Sequence, residues 1–496
     1  MSTPWLAVVP ASLGAALAAW LAIVLWTRLL ARGGVVLGIA HTLVREAFRR
    51  RVALSIYIAA ITYVAALVPL LGSSDRLIHR VQNLLSYGLA GTIFFGLLLA
   101  ILLGTGSLAS EFEERQIDTT LTKPLPRAKL LVGKWVGVMS LIVILLAVLG
   151  AQIAVLATLS VRIADDPSEV EQVRSRVLVA VRAVEPDLDQ DPQVREQFEK
   201  GLPIFTRRNG TRAQALGPAA FRSYAWDRFL DQWRRVPPGE SRKYRFVGLR
   251  RGEATLRIRP RMTPTPSGNR IEARIGIESE DPQLFEMEIG RLLLLPLPAS
   301  ATEDGVVDIV IEFPAEESEG PIDFTEPESL EVAQLASGFG WNLTLGLLID
   351  AIKLSFVAAL AIFGASFLSF PVATLMTTLL TLIALSSNYL ISASLEPGGT
   401  LYDEKWGVPT TERPSDTAGG AVEAVFDRLE WAGLRVAMVL RKYGEIAPTS
   451  SIVEGREVGT ATLAQAALWI GGLWTGSVAA VAWLVFRRRE IARVQV

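Results

Sequence analysis

Residues able to do covalent or metal chemistry are scarce in this chain. There is no cysteine, which excludes disulfides, thiolate metal sites and thiol nucleophiles. Two histidines, His41 and His79, are too few for a histidine-built metal or general-base centre. No Ser/His/Asp set, paired carboxylates or metal-ligand spacing can be assembled, so an enzyme within the membrane or outside it has little support. No Gly-x-x-x-x-Gly-Lys-Ser/Thr is present. The nearest match, Gly133-Lys134, lacks both the upstream glycine and the following hydroxyl, so the chain has no phosphate-cradling loop of that kind. The expectation is therefore no catalytic residue, no metal and no cofactor in this chain.

What remains is charge in unusual settings. The stretch from Glu111 to Trp135 holds acids first (Glu111, Glu114, Asp118), then Leu121, then Pro124 and Pro126, then Arg127, Lys129 and Gly133-Lys134. The prolines cannot lie inside a continuing helix, so it reads as an acidic helix, a break and a basic, apolar-faced helix suited to docking on a partner. Asp350 and Lys353 form an i,i+3 charge pair inside an apolar run. Charge there is costly and often functional. This pair lies near one end of its run, where it can satisfy itself or snorkel, and the structural reading is favoured about two to one.

The elements that would position these groups are membrane helices. Half of the 496 residues are hydrophobic although 20% are charged, and mean hydropathy is +0.36, so the apolar content is concentrated in blocks. A span needs roughly 20 mostly apolar residues. Seven segments qualify: Trp5–Leu30, Val52–Leu71, Leu85–Leu108, Trp135–Thr158, Thr344–Phe367, Val372–Ile391 and Leu463–Phe486. Trp5, Trp26, Trp135 and Trp341 stand near their ends, where an indole prefers the interface. The first segment reads as a span rather than a cleaved leader, because Met1-Ser2-Thr3-Pro4 has no basic residue and the apolar run is long. Arg28, Arg32, Arg45 and Arg49-Arg50-Arg51 follow it, which puts the N-terminus outside. Alternation then places the 109–134 loop and the Arg487-Arg488-Arg489 tail in the cytoplasm.

The resulting plan has an extra N-terminal span (1–31), a basic elbow helix (32–51), spans two to four with the cytoplasmic loop (52–160), an extracytoplasmic α+β domain (161–340), spans five and six (341–392), an outer loop (393–462), a seventh span (463–486) and a basic tail (487–496). In the large domain, 166–200 reads as helix, with Ser168 as cap and Glu171 as its capping-box partner. Period-two alternation at 254–259, 271–275 and 307–312 predicts antiparallel strands. Residues 201–270 carry 16 basic and 4 acidic residues, while 271–340 carry 2 and 17. Either the basic stretch (Arg242, Lys243, Arg245, Arg250, Arg251) meets an anionic lipid or polymer, or the two halves neutralise each other, which is favoured three to one. In the outer loop, 421–441 reads as an amphipathic helix. Gly472 and Gly476 give the seventh span a Gly-x-x-x-Gly for close helix packing, and Gly88, Gly91 and Gly96 mark the third.

The order Glu111, Glu114, Leu121, Pro124 or Pro126, Arg127, Gly133-Lys134 resembles the coupling loop of ABC-2-type transporter permeases, with Gln116 where that family often has glycine. The segment 40–51 resembles the family's elbow helix, and the Phe486–Ile491 tail a common ending. The resemblance covers 40–158 and 354–496; it implies a six-helix core to which the first span and the large domain are additions. It also implies a separate ABC ATPase subunit that binds ATP beneath the loop, a second permease copy, and a multi-pass setting in a cell membrane, a bacterial inner membrane by expectation. Export is expected, since no importer-specific loop is evident. The near-neutral charge, 49 basic against 50 acidic residues, suggests no nucleic-acid partner. The alternative is a membrane-anchored interaction or signalling protein whose outer domain senses a ligand.

Overall fold

The computed structural model describes residues 4–71, 76–113, 126–164, 166–262, 269–277, 282–314, 320–326, 329–395, 402–403, 408–409, 436 and 439–488. It divides into two compact units, a mainly helical one made of 1–180 and 338–496 and a strand-rich one, 181–337. The strand-rich unit thus starts at Val181, and the preceding twenty residues of the expected 161–340 domain stay with the helices.

Among the described residues, seven helices are long and apolar enough to cross a membrane, and the protein is a polytopic helical membrane protein carrying an α+β domain. They are α1 (Pro4–Leu30), α3 (Val52–Leu70), α4 (Leu77–Glu113), α5 (Arg127–Arg162), α9 (Phe339–Ala365), α10 (Phe370–Leu395) and a composite last span. Between α1 and α3 lies the elbow α2 (Val35–Arg49), which buries Ala40, Leu43, Val44 and Ala47. Arg51 ends it in the left-handed region at φ 60°, turning the chain into α3.

The span edges differ from the sequence reading for physical reasons. α4 has 37 residues and α5 has 36, each about 55 Å long and longer than a ~30 Å hydrocarbon core. The basic helix after Pro126 and the fourth span are one rod from Arg127, because no proline interrupts it. The fifth span stops at Ala365 instead of Phe367. There Ser366 folds its hydroxyl onto the Phe363 carbonyl (2.6 Å), and Pro371 lies in the first turn of α10. The last span runs through Thr460–Ala466, a π-helical stretch Ala467–Trp474 and Thr475–Arg488. The Ile470 carbonyl accepts both the Thr475 N–H, five residues on as a π turn requires, and the Thr475 hydroxyl (2.7 Å). Trp135 is no interfacial anchor: its indole N–H donates to the Ser355 carbonyl (3.1 Å) inside the bundle.

Segment 166–200 is not one helix. α6 (Pro167–Arg176) is followed by β1 (Val179–Val184) and then α7 (Pro192–Arg208). The β-branched run before Pro186 favours a strand. Asp166, not Ser168, caps α6: its carboxylate accepts from the Ser168 N–H (2.8 Å), ahead of Pro167 at the first helical position. α8 (Gly210–Trp233) completes the helical part of this region. Two four-stranded sheets follow, in orders β1-β11-β4-β8 and β3-β9-β6-β7, besides one three-stranded sheet of short strands, β2 (Arg235–Val236), β10 (Ile322–Asp323) and β5 (Arg261–Met262). The strands are β3 (Ser241–Val247), β4 (Ala254–Ile258), β6 (Arg270–Ile277), β7 (Gln283–Glu288), β8 (Leu293–Leu297), β9 (Val306–Glu312) and β11 (Leu330–Gly338). Alternation puts Val307, Ile309 and Ile311 inward from β9 and Leu256 and Ile258 inward from β4, into one shared core. The expected strands at 254–259, 271–275 and 307–312 are thus β4, β6 and β9.

Candidate functional site

The site is built around the first two turns of α5. Pro126 sits at its N-cap with φ −59° and ψ 127°, and its carbonyl accepts from Lys129 N–H (2.9 Å). Arg127 turns inward: Nη1 donates to the carbonyls of Phe486 (2.7 Å) and Arg487 (2.8 Å), and the guanidinium lies 5.7 Å from the centre of the Phe486 ring. A cation placed on the last carbonyls of a helix meets both their free acceptors and the negative end of the helix dipole. Gly133 lets α2 come close, since a Cβ there would lie 2.7 Å from Ile39 Cβ and 3.0 Å from the Val36 carbonyl oxygen. Lys134 is 4% exposed and donates to the Ser107 carbonyl of α4 (2.7 Å). Leu108, Leu130, Ile362, Ala482 and Phe486 form a small separate apolar core at this junction.

The start of α5 is therefore tied to α2, α4 and the last span at once. A cavity of about 490 Å³ lies between α2, α4 and the start of α10, walled by Leu43, Ala47, Leu102 and Phe370 and by the Glu46–Arg50 ion pair (2.7 Å). Of the residues singled out in the sequence, Glu111 belongs to the last turn of α4, while Glu114, Asp118, Leu121 and Pro124 lie outside the described residues. The structure brings Pro126, Arg127, Gly133 and Lys134 together, with the last three engaged by the chain's own helices.

A second charged centre lies along α9. Asp350 is 3% and Lys353 9% exposed, so Lys353 does not snorkel as expected. Its ammonium donates to the Ile446 carbonyl (2.7 Å) and stands 4.7 Å from the centre of the Tyr443 ring. Tyr443 and Ile446 belong to a segment with two short helices, α11 (Arg441–Glu445) and α12 (Pro448–Val453), that folds back into the bundle. Asn342 holds the far side of that segment, donating to the Arg456 carbonyl (2.7 Å) and accepting from the Val458 N–H (2.6 Å). Sequence reasoning missed this strap. The signal available was Pro448 after the charged run 441–445, and a lone Asn342 at the edge of a span. The amphipathic helix expected over 421–441 falls largely outside the described residues.

Gly472 and Gly476 do not form the helix contact expected of them. Both are exposed, and a Cβ on Gly476 would meet nothing within 4 Å. The close approach in this span is made by Gly471, facing Ile352 (3.3 Å). A repeat of small residues shows that a close face exists without saying whether a neighbour covers it. In the third span the marked glycines do pack: Gly88 against Ile153, Gly91 against Tyr63 and Gly96 against Leu354.

In the strand-rich unit the charge imbalance resolves into pairs. Asp308 takes Arg245 (2.9 Å) and Lys243 (2.9 Å), Arg257 meets Glu331 (3.2 Å) and Arg274 meets Glu312 (3.2 Å). The Arg245 hydrogen bond, with Lys243 beside it, outweighs desolvation and holds the Asp308 carboxyl at about 2. Arg242 is taken by Glu240 (2.5 Å), and Arg251 donates to the Glu303 carbonyl (3.0 Å).

Among known proteins, residues 52–179 match the family described as ABC-2 family transporter protein. The match begins at the first residue of α3 and ends next to the boundary of the strand-rich unit. Residues 52–179 of this multi-pass membrane protein are thus similar to an ABC-2 transporter domain, which is consistent with an ABC-2 permease. Neither the curated proteins nor the solved structures gave a match.

Proposed function

We propose that this chain is the membrane-spanning subunit of an ATP-driven exporter, worked by a separate ATPase that grips the 109–134 loop from the cytoplasm. The observation that carries the reading is the ABC-2 transporter domain at 52–179, which contains that loop. In this reading ATP stays on the partner, two permease copies assemble, and the N-terminus and the strand-rich domain face away from the cytoplasm in a bacterial inner membrane.

The geometry supplies a route for force. A push on the loop moves the start of α5, a rigid 36-residue rod. Arg127 passes the displacement to the last span, Lys134 to α4 and Gly133 to the elbow. Packed helices with discrete hydrogen bonds shift as rigid bodies rather than flexing. Lys353, about 18 Å along α9 from Ala365, ties the folded-back segment that such a shift must loosen.

The test is co-purification with the ATPase from mild detergent, joined to a transport-coupled ATPase assay. Glu111→Gln with Glu114→Gln is expected to weaken the complex about tenfold or more, a loss of roughly 1.4 kcal/mol. Arg127→Ala is expected to leave binding intact while lowering stimulated turnover, because it cuts the link to the last span. A chain that recruits no ATPase, or a loop variant with unchanged complex and transport, overturns the proposal.

A further inference from the structure

The strand-rich unit contains a cleft of about 740 Å³, within the 300–1,000 Å³ range of small-molecule sites. It runs along the hairpin of α7 and α8 and reaches the start of β3. Of its sixteen lining residues, five are aromatic and seven are polar or charged. Phe205, Tyr224, Phe229 and Trp233 supply ring faces, which carry the negative side of the aromatic quadrupole. Such faces suit cations and the polarised C–H bonds of a sugar ring.

Three guanidinium groups stand among these rings, those of Arg208, Arg228 and Arg242. The one carboxylate of the lining, Glu240, is already taken by Arg242 (2.5 Å). Arg208 and Arg228 form no ion pair among the described residues, whereas Arg222, Arg235, Arg245, Arg257, Arg261 and Arg270 of the same basic stretch each meet a carboxylate. Arg228 lies 5.7 Å from the Tyr224 ring centre and Arg242 4.8 Å from that of Trp233, so both are held by stacking. The stacked pair leaves two buried donors, Trp233 Nε1 and Arg242 Nε, without hydrogen-bond partners. Unfilled donors of this kind are uncommon and favour an incoming acceptor. Gln197, Asn209 and Gln232 add planar amides that can both donate and accept.

Ring faces, unpaired guanidinium groups and amides together describe a ligand with flat apolar faces, hydroxyls and a carboxylate. We propose that this cleft binds an acidic oligosaccharide, its carboxylate on Arg208 and Arg228 and a pyranose face against Trp233 and Phe205. Arginine suits that role because its planar fork matches a carboxylate. The proposal rests on the cleft alone, so its failure leaves the transport reading untouched, and the reverse.

The experiment is isothermal titration of the full chain in nanodiscs of neutral lipid. Hexa-galacturonate is the probe, with maltohexaose, inorganic phosphate and phosphatidylglycerol vesicles as the other arms. Saturable binding of the uronate is expected, with maltohexaose weaker by about tenfold or more, which is roughly 1.4 kcal/mol. Arg208→Gln with Arg228→Gln is expected to lose a similar factor at unchanged thermal stability, since both side chains are exposed and unpaired; Trp233→Phe is expected to weaken binding as well. Equal binding of the neutral sugar, binding of phosphate or vesicles in place of the uronate, or an unaffected arginine double variant would each overturn the proposal.

Discussion

The two units bury charge in opposite ways. In the helical unit, Arg127, Lys134 and Lys353 each end on backbone carbonyls: those of Phe486 and Arg487, of Ser107 and of Ile446. In the strand-rich unit, Lys243, Arg245, Arg257 and Arg274 each end on a carboxylate across a strand pair. The sheets can do this because antiparallel register sets side chains directly opposite one another, Arg245 against Asp308 and Arg257 against Glu331. Apolar helices offer few acids, so a buried cation there takes a carbonyl from another segment. A strand ion pair holds two neighbouring strands in register, whereas a cation on a carbonyl ties one helix to the backbone of another segment. That second kind of link is the kind a moving helix bundle can make and break.

The largest effect is expected at Lys353. Lys353→Met removes the tie to Ile446 and leaves Asp350 buried without its neighbouring cation, which costs about 3–5 kcal/mol for a buried charge stripped of its partner. Thermal unfolding in detergent and protease cleavage within 440–459 read the loss. Adding Asp350→Asn is expected to restore part of it, and a purely additive double variant would show that the two charges are independent. Next comes Gly133→Val, which drives a side chain into Ile39 and the Val36 carbonyl and costs about 1–3 kcal/mol by overpacking.

The strand-rich unit is expected to give a smaller, pH-dependent effect. The Asp308 carboxyl is depressed from 3.8 to about 2, first by its Arg245 hydrogen bond. A carboxylate with a lowered folded value stabilises fully above about pH 4 and loses that contribution as pH falls through about 2. Asp308→Asn is therefore expected to cost about 1–2 kcal/mol near neutrality and nothing extra below pH 2. Acid titration of the near-ultraviolet circular dichroism checks it; a variant that keeps the full acid sensitivity would break the contrast between the units. Smallest of all, Gly476→Val is expected to change stability by less than about 0.5 kcal/mol, since nothing lies near the added carbons. A clear loss there, read by the same melt, would mean that another chain covers this face.

Much of the architecture was legible because it follows from local solvent preference. A run such as 135–158 has too little polar surface to be left in water, and the alternation at 307–312 can bury only one face. The charged loop lies within the segment 52–179 that matches the ABC-2 family, with 114–125 outside the described residues. Contacts between distant segments were not. Nothing in the order Arg127 to Lys134 says that the arginine closes the end of the last span 359 residues on, or that the lysine points to Ser107. Gly472 and Gly476 have the spacing of a packing motif, yet the neighbouring Gly471 makes the contact, because spacing defines a face and not its neighbour.

By itself, then, the sequence determined which segments leave water and which strands alternate, since hydropathy patterns act over a few residues. Only the tertiary structure decided which carbonyl each buried cation meets, that 440–459 folds back onto Asn342 and Lys353, and which arginines of the basic stretch are left over to face a cleft. Those outcomes depend on packing between segments that are not neighbours in the chain, from 27 residues apart for Lys134 and Ser107 to 359 for Arg127 and Phe486. There a difference of one residue in helix phase or strand register turns a side chain from one partner to another.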